Sequence, residues 1–172
     1  MRSSARYLQL VLLALLAAAA LPGQLRPQER TKSEAAFKEL ASLVGDWEGI
    51  HDGVPIKLRY TLTADRSALM LVEEAGDSTV MITMFTVDGD HLIATHYCSA
   101  GNQPQMVTGI PGDLEHGVTF SLLRVTGLKT PEDWHNTGLT LTKDDKDHIT
   151  HRWTYLYRGK TGTTVFRYAR KR

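Results

Sequence analysis

Three consecutive residues, His96, Tyr97 and Cys98, are of types that take part in metal binding and nucleophilic catalysis, and Cys98 is the only cysteine in the chain. They follow a short apolar segment that is typical of a β-strand. Side chains alternate along a strand, so His96 and Cys98 share one face, about 6.6 Å apart, and Tyr97 lies on the other. This spacing suits two ligands of a zinc or copper ion, or a cysteine nucleophile with its histidine base.

Both kinds of site need further groups, and the sequence does not supply them. A metal site needs a third and normally a fourth ligand, and a nucleophile needs an orienting group and oxyanion donors. The remaining histidines show no paired spacing: His51, His91, His116, His135, His148 and His151. We therefore predict no metal, no cofactor and no catalytic residue, and we interpret Cys98 as a small buried hydrophobe.

A polar turn follows Cys98 and offers a different kind of chemistry. Asn102 and Gln103 carry amides that can donate and accept hydrogen bonds, and Pro104 fixes the direction in which the chain leaves the turn. At the mouth of a barrel such amides would bind the polar head of a ligand. The alternative is that they satisfy backbone groups of neighbouring loops.

The elements that must position these residues are strands. One short helix is predicted over residues 34–43, with Ser33 as its N-cap. Short segments rich in Val, Ile, Thr, Tyr or Met then alternate with Gly, Asp, Asn or Pro, as strands and turns do. The predicted strands are 46–50, 55–63, 68–74, 78–87, 91–99, 105–110, 117–125, 137–142, 148–157 and 163–170, with one helical turn at 131–134. This order predicts an all-β, up-and-down antiparallel barrel of about ten strands with a short N-terminal helix, and a β-sandwich is the alternative.

Alternation also predicts which side chains line the barrel. Along residues 148–157 the odd positions are aromatic or apolar and should point inward, and residues 56, 58, 60 and 62 form a second inward row. A barrel of ten strands is wide enough to hold a small ligand. Asp88-Gly89 is predicted as a two-residue hairpin turn, which pairs Phe85 with Leu92 and Met81 with His96. The residues predicted to line a ligand site are Tyr60, Tyr97, His151, Trp153 and Tyr155, with Asn102 and Gln103 as a polar lip.

The N-terminal region has the layout of a secretory signal peptide. Arg2 and Arg6 precede an apolar run over residues 7–20, and small residues at 17–20 provide a cleavage region. The run is shorter than the ~20 residues that span a bilayer, although an uncleaved anchor remains the alternative. We predict a signal peptide at 1–23, a linker at 24–32 and one barrel domain at 33–172, exported to the periplasm or the extracellular space.

The charge balance limits the classes of partner. Without Arg2 and Arg6 the formal charge changes from +1 to −1. A balanced surface argues against nucleic acid and against an anionic membrane as partner after signal removal, because both usually need a basic patch. A single cysteine cannot form an internal disulfide. The sequence gives no indication of oligomeric state.

The segment Gly45-Asp46-Trp47-Glu48-Gly49 begins the first predicted strand, and the chain closes with Phe166-Arg167-Tyr168-Ala169-Arg170. The first pattern resembles that of calycin-type barrels: lipocalins, fatty-acid-binding proteins and nitrobindin-like proteins. The resemblance implies that Trp47 closes one end of the barrel and that Arg170 packs across its indole. Together with the hairpin at 87–90 and the turn after Cys98, the chain looks closer to a group of uncharacterised bacterial lipocalin-like proteins than to classical lipocalins.

Two function classes follow. The first is a binding module that holds a small, largely apolar molecule inside the barrel. Within it, the resemblance to nitrobindins implies haem with His151 as axial ligand as a subsidiary hypothesis. The second is a hydrolase or isomerase that uses His96 and Cys98, or His151 with Tyr97. A protein that interacts through its outer surface is a third and weaker option.

Overall fold

The computed structural model describes residues 31–76 and 79–172, and it consists of one helix and ten strands. The helix is α1 (Lys32–Ala41). The strands are β1 (Gly45–His51), β2 (Val54–Thr63), β3 (Ala68–Ala75), β4 (Thr79–Asp88), β5 (His91–Tyr97), β6 (Gln103–Thr108), β7 (Val118–Thr126), β8 (His135–Lys143), β9 (His148–Tyr157) and β10 (Lys160–Arg170).

The strands form a closed antiparallel barrel in which each one pairs with its neighbours in sequence, and β10 pairs with β1. The predicted fold class is confirmed, and the β-sandwich alternative is wrong. Up-and-down connectivity follows from the short turns between consecutive strands, and closure gives each strand a neighbour on both sides. The predicted helical turn at 131–134 is instead a turn in which the backbone N–H of Asp133 donates to the carbonyl of Thr130 over 3.2 Å.

Helix α1 starts two residues earlier than the sequence predicted, because Thr31 rather than Ser33 is the N-cap. Thr31 and Glu34 form a capping box, in which each side chain accepts from the backbone N–H of the other residue. Ser33 is fully buried and donates its hydroxyl to the carbonyl of Gly89 over 2.6 Å. This bond fixes the helix against the β4–β5 turn, so α1 covers that end of the barrel.

Trp47 and Arg170 lie at the end that α1 covers. The indole of Trp47 is 1% exposed, and its Nε1 donates to the carbonyl of Leu43 over 2.8 Å. The guanidinium carbon of Arg170 lies 4.1 Å from the centre of the indole, as the sequence predicted. Arg170 also donates to the carbonyls of Val44 and Ser42, at the C-terminal end of the helix. One side chain therefore connects the last strand, the first strand and the helix.

Replacing Arg170 by glutamine is expected to lower the free energy of unfolding by about 1–2 kcal/mol, because the cation–π contact and the bonds to the helix end are lost together. Arg167→Gln is the matched control, since Arg167 is exposed on the outer face of the same strand. Chemical denaturation of the two variants measures the difference. Equal loss in both variants would contradict the role of Arg170.

The β4–β5 hairpin differs from the predicted register by two residues. Its turn is Gly89-Asp90, with a φ of 55° at Gly89. A glycine at the first central position is typical of a type II′ turn. A shift of two residues leaves unchanged which side chains of β4 and β5 share a face, since the side-chain period is also two. The shift places His96 opposite Thr83 instead of Met81.

The predicted signal peptide and most of the predicted linker lie outside the described residues, and their assignment stays a prediction. Within residues 31–76 and 79–172, no helix combines the length and the apolar composition that crossing a membrane requires.

Candidate ligand site at the open end of the barrel

The half of the barrel next to α1 is filled by apolar side chains. They come from most of the strands and from the helix, and each has at most 1% of its surface exposed. Apolar side chains therefore fill the interior of the barrel at the closed end. The main contributors are Leu40, Leu43, Trp47, Leu69, Phe85, Leu92, Val118, Phe120, Leu141 and Ile149.

A layer of polar side chains lies above this apolar half. The hydroxyl of Tyr60 is 2.9 Å from Nε2 of His151, and both residues are buried. Burial lowers the pKa of His151 to about 3, so its imidazole is neutral at pH 7. The ring of Tyr168 lies 4.9 Å from that of His151. Among the described residues, neither Nδ1 of His151 nor the hydroxyl of Tyr168 has a hydrogen-bond partner.

Beyond the polar layer the barrel opens into a cavity of about 90 Å³ at the end opposite α1. Four of the side chains that line it are the aromatic rings of Trp134 in the β7–β8 loop, Trp153 and Tyr155 on β9, and Phe166 on β10. The ring of Trp134 packs against Tyr155 at 5.8 Å, and the ring of Trp153 packs against His96 at 4.8 Å. The lining residues are Glu73, Met81, His96, Trp134, Asn136, Trp153, Tyr155, Thr164 and Phe166.

Glu73 is the carboxylate of this cavity. It follows Leu69 and Leu71 on the inward face of β3, and it is 7% exposed. No hydrogen bond or ion pair of the described residues involves its carboxylate, and burial raises the pKa of Glu73 to about 7. An acid without a partner in an aromatic cavity is costly to keep ionised, and such residues often mark functional sites.

His96 lies on the same wall of the cavity as a neutral group. Its Nδ1 is 2.8 Å from the hydroxyl of Thr83, a contact that the observed hairpin register makes available. Burial lowers the pKa of His96 to about 4. At neutral pH the imidazole of His96 can therefore donate or accept a hydrogen bond, but it does not provide a positive charge to Glu73.

The other two residues of the opening triplet have different positions. Tyr97 is 50% exposed on the outer surface, so the prediction that it lines the interior is wrong. Alternation along β5 places Leu92, Ala94 and His96 inside, which turns Tyr97 outward. Cys98 is partly buried, and burial raises the pKa of its thiol, which disfavours the thiolate that a nucleophile needs.

The predicted polar lip stabilises loops at the open end. Asn102 is buried, and its amide nitrogen donates to the carbonyl of Trp134 over 2.7 Å. Gln103 donates to the carbonyl of Gly101 and accepts from the hydroxyl of Thr126. Neither side chain lines the cavity, but Asn102 holds the loop that carries Trp134. Ligand contact by these two residues stays a prediction that this geometry does not favour.

Replacing Asn102 by alanine is expected to loosen the loop at residues 127–134. Loss of the bond to Trp134 removes about 1 kcal/mol of local stability, which makes amide exchange in this loop about fivefold faster. Hydrogen exchange measured by mass spectrometry gives this rate. Gln103→Ala is the control, because it leaves the bond from Asn102 intact. Unchanged exchange in Asn102→Ala would show that the contact does not order the loop.

Tyr155 lies at the mouth of the cavity because the sequence provides a glycine opposite it. Gly162 pairs with Tyr155 across β9 and β10, and a Cβ at Gly162 would collide with the phenol ring. The ring therefore crosses the backbone of β10 beside Trp134. Of the five residues predicted to line a ligand site, Trp153 and Tyr155 line this cavity and Tyr60 and His151 lie deeper, in the polar layer, while contact with a ligand stays a prediction.

Among the residues that line the cavity, Glu73, Phe166 and Trp134 were not predicted as site residues. Glu73 was detectable, because it shares the inward face of its strand with Leu69 and Leu71, where a charge is unusual. Phe166 shares a face with Tyr168 and was equally detectable. Trp134 lies in a loop, where periodicity gives no orientation.

The described residues do not fit haem or a metal ion. Nε2 of His151 is hydrogen-bonded to the hydroxyl of Tyr60, and His151 is fully buried. The imidazole therefore cannot serve as an axial haem ligand without rearrangement. The cavity of about 90 Å³ is also far below the space that a macrocycle occupies. No group of three or more His, Cys, Asp or Glu side chains within residues 31–76 and 79–172 is arranged to hold a metal.

The sequence and the fold were compared with those of known proteins. No protein-family model and no curated protein sequence matches this chain. One similar solved structure is a protein of unknown function from the DUF3598 family of Nostoc punctiforme, with 12% sequence identity and a TM-score of 0.42. The match covers 77% of this chain and 49% of that protein, so this chain spans about half its length. At this level the likeness carries no argument about activity or ligand.

Proposed function

We propose that this protein reversibly binds a small, largely apolar molecule at the open end of the barrel. The observation that supports this proposal is the cavity beside Glu73, whose walls are formed by Trp134, Trp153, Tyr155 and Phe166. Small-molecule sites have this composition, with mostly apolar walls and a few polar groups that orient the ligand.

The size of the cavity limits what enters it. Drug-sized ligands occupy pockets of about 300–1,000 Å³, whereas an engineered cavity of about 150 Å³ holds benzene. A cavity of about 90 Å³ accepts a group of only a few heavy atoms. Because it opens at the mouth of the barrel, the rest of a longer ligand would lie outside, against Trp134 and Tyr155.

Binding is favoured over catalysis by the state of the interior groups. The hydrolase and isomerase hypotheses need His96 with Cys98, or His151 with Tyr97. The thiol of Cys98 has a raised pKa, and Tyr97 lies on the other side of the barrel wall from His151. Export to the periplasm or the extracellular space remains part of the proposal, on the basis of residues 1–23 alone.

The proposal is tested by native mass spectrometry of protein purified from its own host, with a variant that fills the cavity. Thr164 lines the cavity and Thr163 faces outward on the same strand. We expect a bound small molecule in the wild type and in Thr163→Phe, and its absence in Thr164→Phe. Retention in Thr164→Phe would place the bound molecule elsewhere. A wild-type spectrum without any bound molecule, in native and in lipid-supplemented preparations, would contradict the proposal.

A further inference from the structure

The cavity contains one ionisable carboxyl group and no side chain that is cationic at pH 7. Its nine lining residues include Glu73 but no lysine or arginine, and His96 is neutral at pH 7. Its walls are rings whose faces carry partial negative charge. An anionic head group would meet a carboxylate without a counter-charge, which disfavours fatty acids and other carboxylates as ligands.

A positive group would meet two complementary features in the same cavity. The carboxylate of Glu73 can accept hydrogen bonds or pair with a cation, and the surrounding rings of Trp134, Trp153, Tyr155 and Phe166 attract cations through their faces. Aromatic cages beside a carboxylate suit ammonium groups in particular. An ammonium or trimethylammonium head also has the few heavy atoms that about 90 Å³ admits.

We propose that the ligand is a small organic amine, whose ammonium head enters the cavity between the Glu73 carboxylate and the aromatic walls. This inference rests on the proposed function, since it names the ligand class for the same cavity. The amine can be a primary ammonium or a methylated one. In both cases the apolar part of the molecule extends to the mouth.

Burial makes Glu73 the residue of the cavity lining whose pKa lies near neutral pH. Tyr60 on β2 and Tyr168 on β10 have raised pKa values, as has Cys98 next to β5. His96 on β5 and His151 on β9 have pKa values lowered to about 4 and about 3. Met81, which faces Glu73 from β4, does not ionise. Between pH 5 and pH 8.5, Glu73 is therefore the cavity group that changes charge.

The test compares molecules that differ in charge and not in shape. Choline and 3,3-dimethylbutan-1-ol are isosteres, one cationic and one neutral, and n-butylammonium and n-butanol form a second pair of equal chain length. 3,3-Dimethylbutanoate supplies the anion. Isothermal titration calorimetry at pH 8 is expected to give cations at least about tenfold tighter binding than their neutral partners, and weaker binding of the anion than of the neutral alcohol.

Glu73→Gln is expected to remove the preference for cations and to keep weak binding of the neutral molecules. Glu74→Gln is the matched control, because Glu74 is exposed on the outer face of β3. The ionised form of Glu73 attracts a cation and the protonated form does not, so lowering the pH from 8 to 5 should weaken choline binding by up to about 100-fold and leave the neutral alcohol unchanged.

The outcomes separate this inference from the proposed function. Equal or tighter binding of the neutral isosteres, or cation binding that survives Glu73→Gln, would overturn the amine inference and leave a binding site for apolar molecules. If no probe binds and native mass spectra of the wild type show no bound molecule, both proposals fail.

Discussion

Replacing Glu73 by glutamine is expected to raise the free energy of unfolding at pH 8 by up to about 3 kcal/mol and to leave it almost unchanged at pH 4. The pKa of Glu73 is raised to about 7 in the folded protein, against about 4.5 for a carboxyl in water. At pH 8 the folded protein holds an ionised carboxylate that burial destabilises, whereas at pH 4 the carboxyl is protonated in both states. Glutamine has the same shape and no charge.

The sign of this effect distinguishes Glu73 from the buried histidines. The contribution of Glu73 falls as the pH rises from about 4.5 to about 7, because the unfolded chain ionises first. His96 and His151 act in the opposite direction, since their pKa values are lowered. Their contribution is lost as the pH falls from 6.5 towards about 4 and about 3. Glu73→Gln should therefore remove only the alkaline branch of the pH–stability profile.

Denaturant titrations at pH 4, 6 and 8 measure the profile for the wild type, Glu73→Gln and the control Glu74→Gln. Glu74 is exposed, so its replacement should change stability little at any of these pH values. A Glu73→Gln variant that is less stable than the wild type at pH 8 would mean that the carboxylate has a stabilising partner.

Replacing Trp47 by alanine is expected to lower the free energy of unfolding by about 3–5 kcal/mol without weakening ligand binding at the open end. The indole is fully buried, donates a hydrogen bond to Leu43 and packs under Arg170. Its removal leaves a large void at the closed end. That void lies beyond the polar layer of Tyr60 and His151, so the cavity at the mouth keeps its walls.

Trp134→Ala is the complementary variant, because Trp134 is partly exposed and lines the cavity. We expect it to cost less than about 2 kcal/mol of stability and to weaken choline binding. Thermal denaturation measures the stability of each variant, and calorimetric titration measures its affinity for choline. Loss of binding in a Trp47→Ala variant that remains folded would show that the two ends of the barrel are coupled.

The cost of burying the Glu73 carboxylate is explained if ligand binding uses its charge. A leucine or glutamine at position 73 would fill the same space without the cost of a buried charge. Proteins keep such residues where activity depends on them, and stabilising substitutions there reduce function. We therefore expect Glu73→Gln to gain stability and to lose its preference for cations at the same time.

The fold was predictable from the sequence because a strand's signal is local. Alternation and turn residues define each strand within a few positions, and short turns between consecutive strands leave up-and-down pairing as the simplest arrangement. The register of the β4–β5 hairpin was not predictable from the sequence, because Asp88-Gly89 and Gly89-Asp90 are both acceptable two-residue turns. The difference moved the partner of His96 from Met81 to Thr83.

The site was only partly predictable, for physical reasons that differ between residues. Along β5 both faces carry apolar residues, so the pattern did not show that Tyr97 points outward. Glu73 was recognisable as a charge on an inward apolar row, but the row alone did not show that the carboxyl group lines a cavity. The loop that carries Trp134 is held by a hydrogen bond from Asn102 to the backbone carbonyl of Trp134. These residues are 32 positions apart, and a contact of that range leaves no local pattern in the sequence.

The three tryptophans of the chain allow the most direct test of the central claim that a small amine binds at the open end. Trp134 and Trp153 line the cavity, and Trp47 lies at the closed end. Each gives one indole N–H signal in a two-dimensional nitrogen–proton NMR spectrum. Titration with choline at pH 8 is predicted to shift the signals of Trp134 and Trp153 in a saturable manner and to leave that of Trp47 in place. Three unmoved signals, or a Trp47 signal that moves alone, would contradict the account.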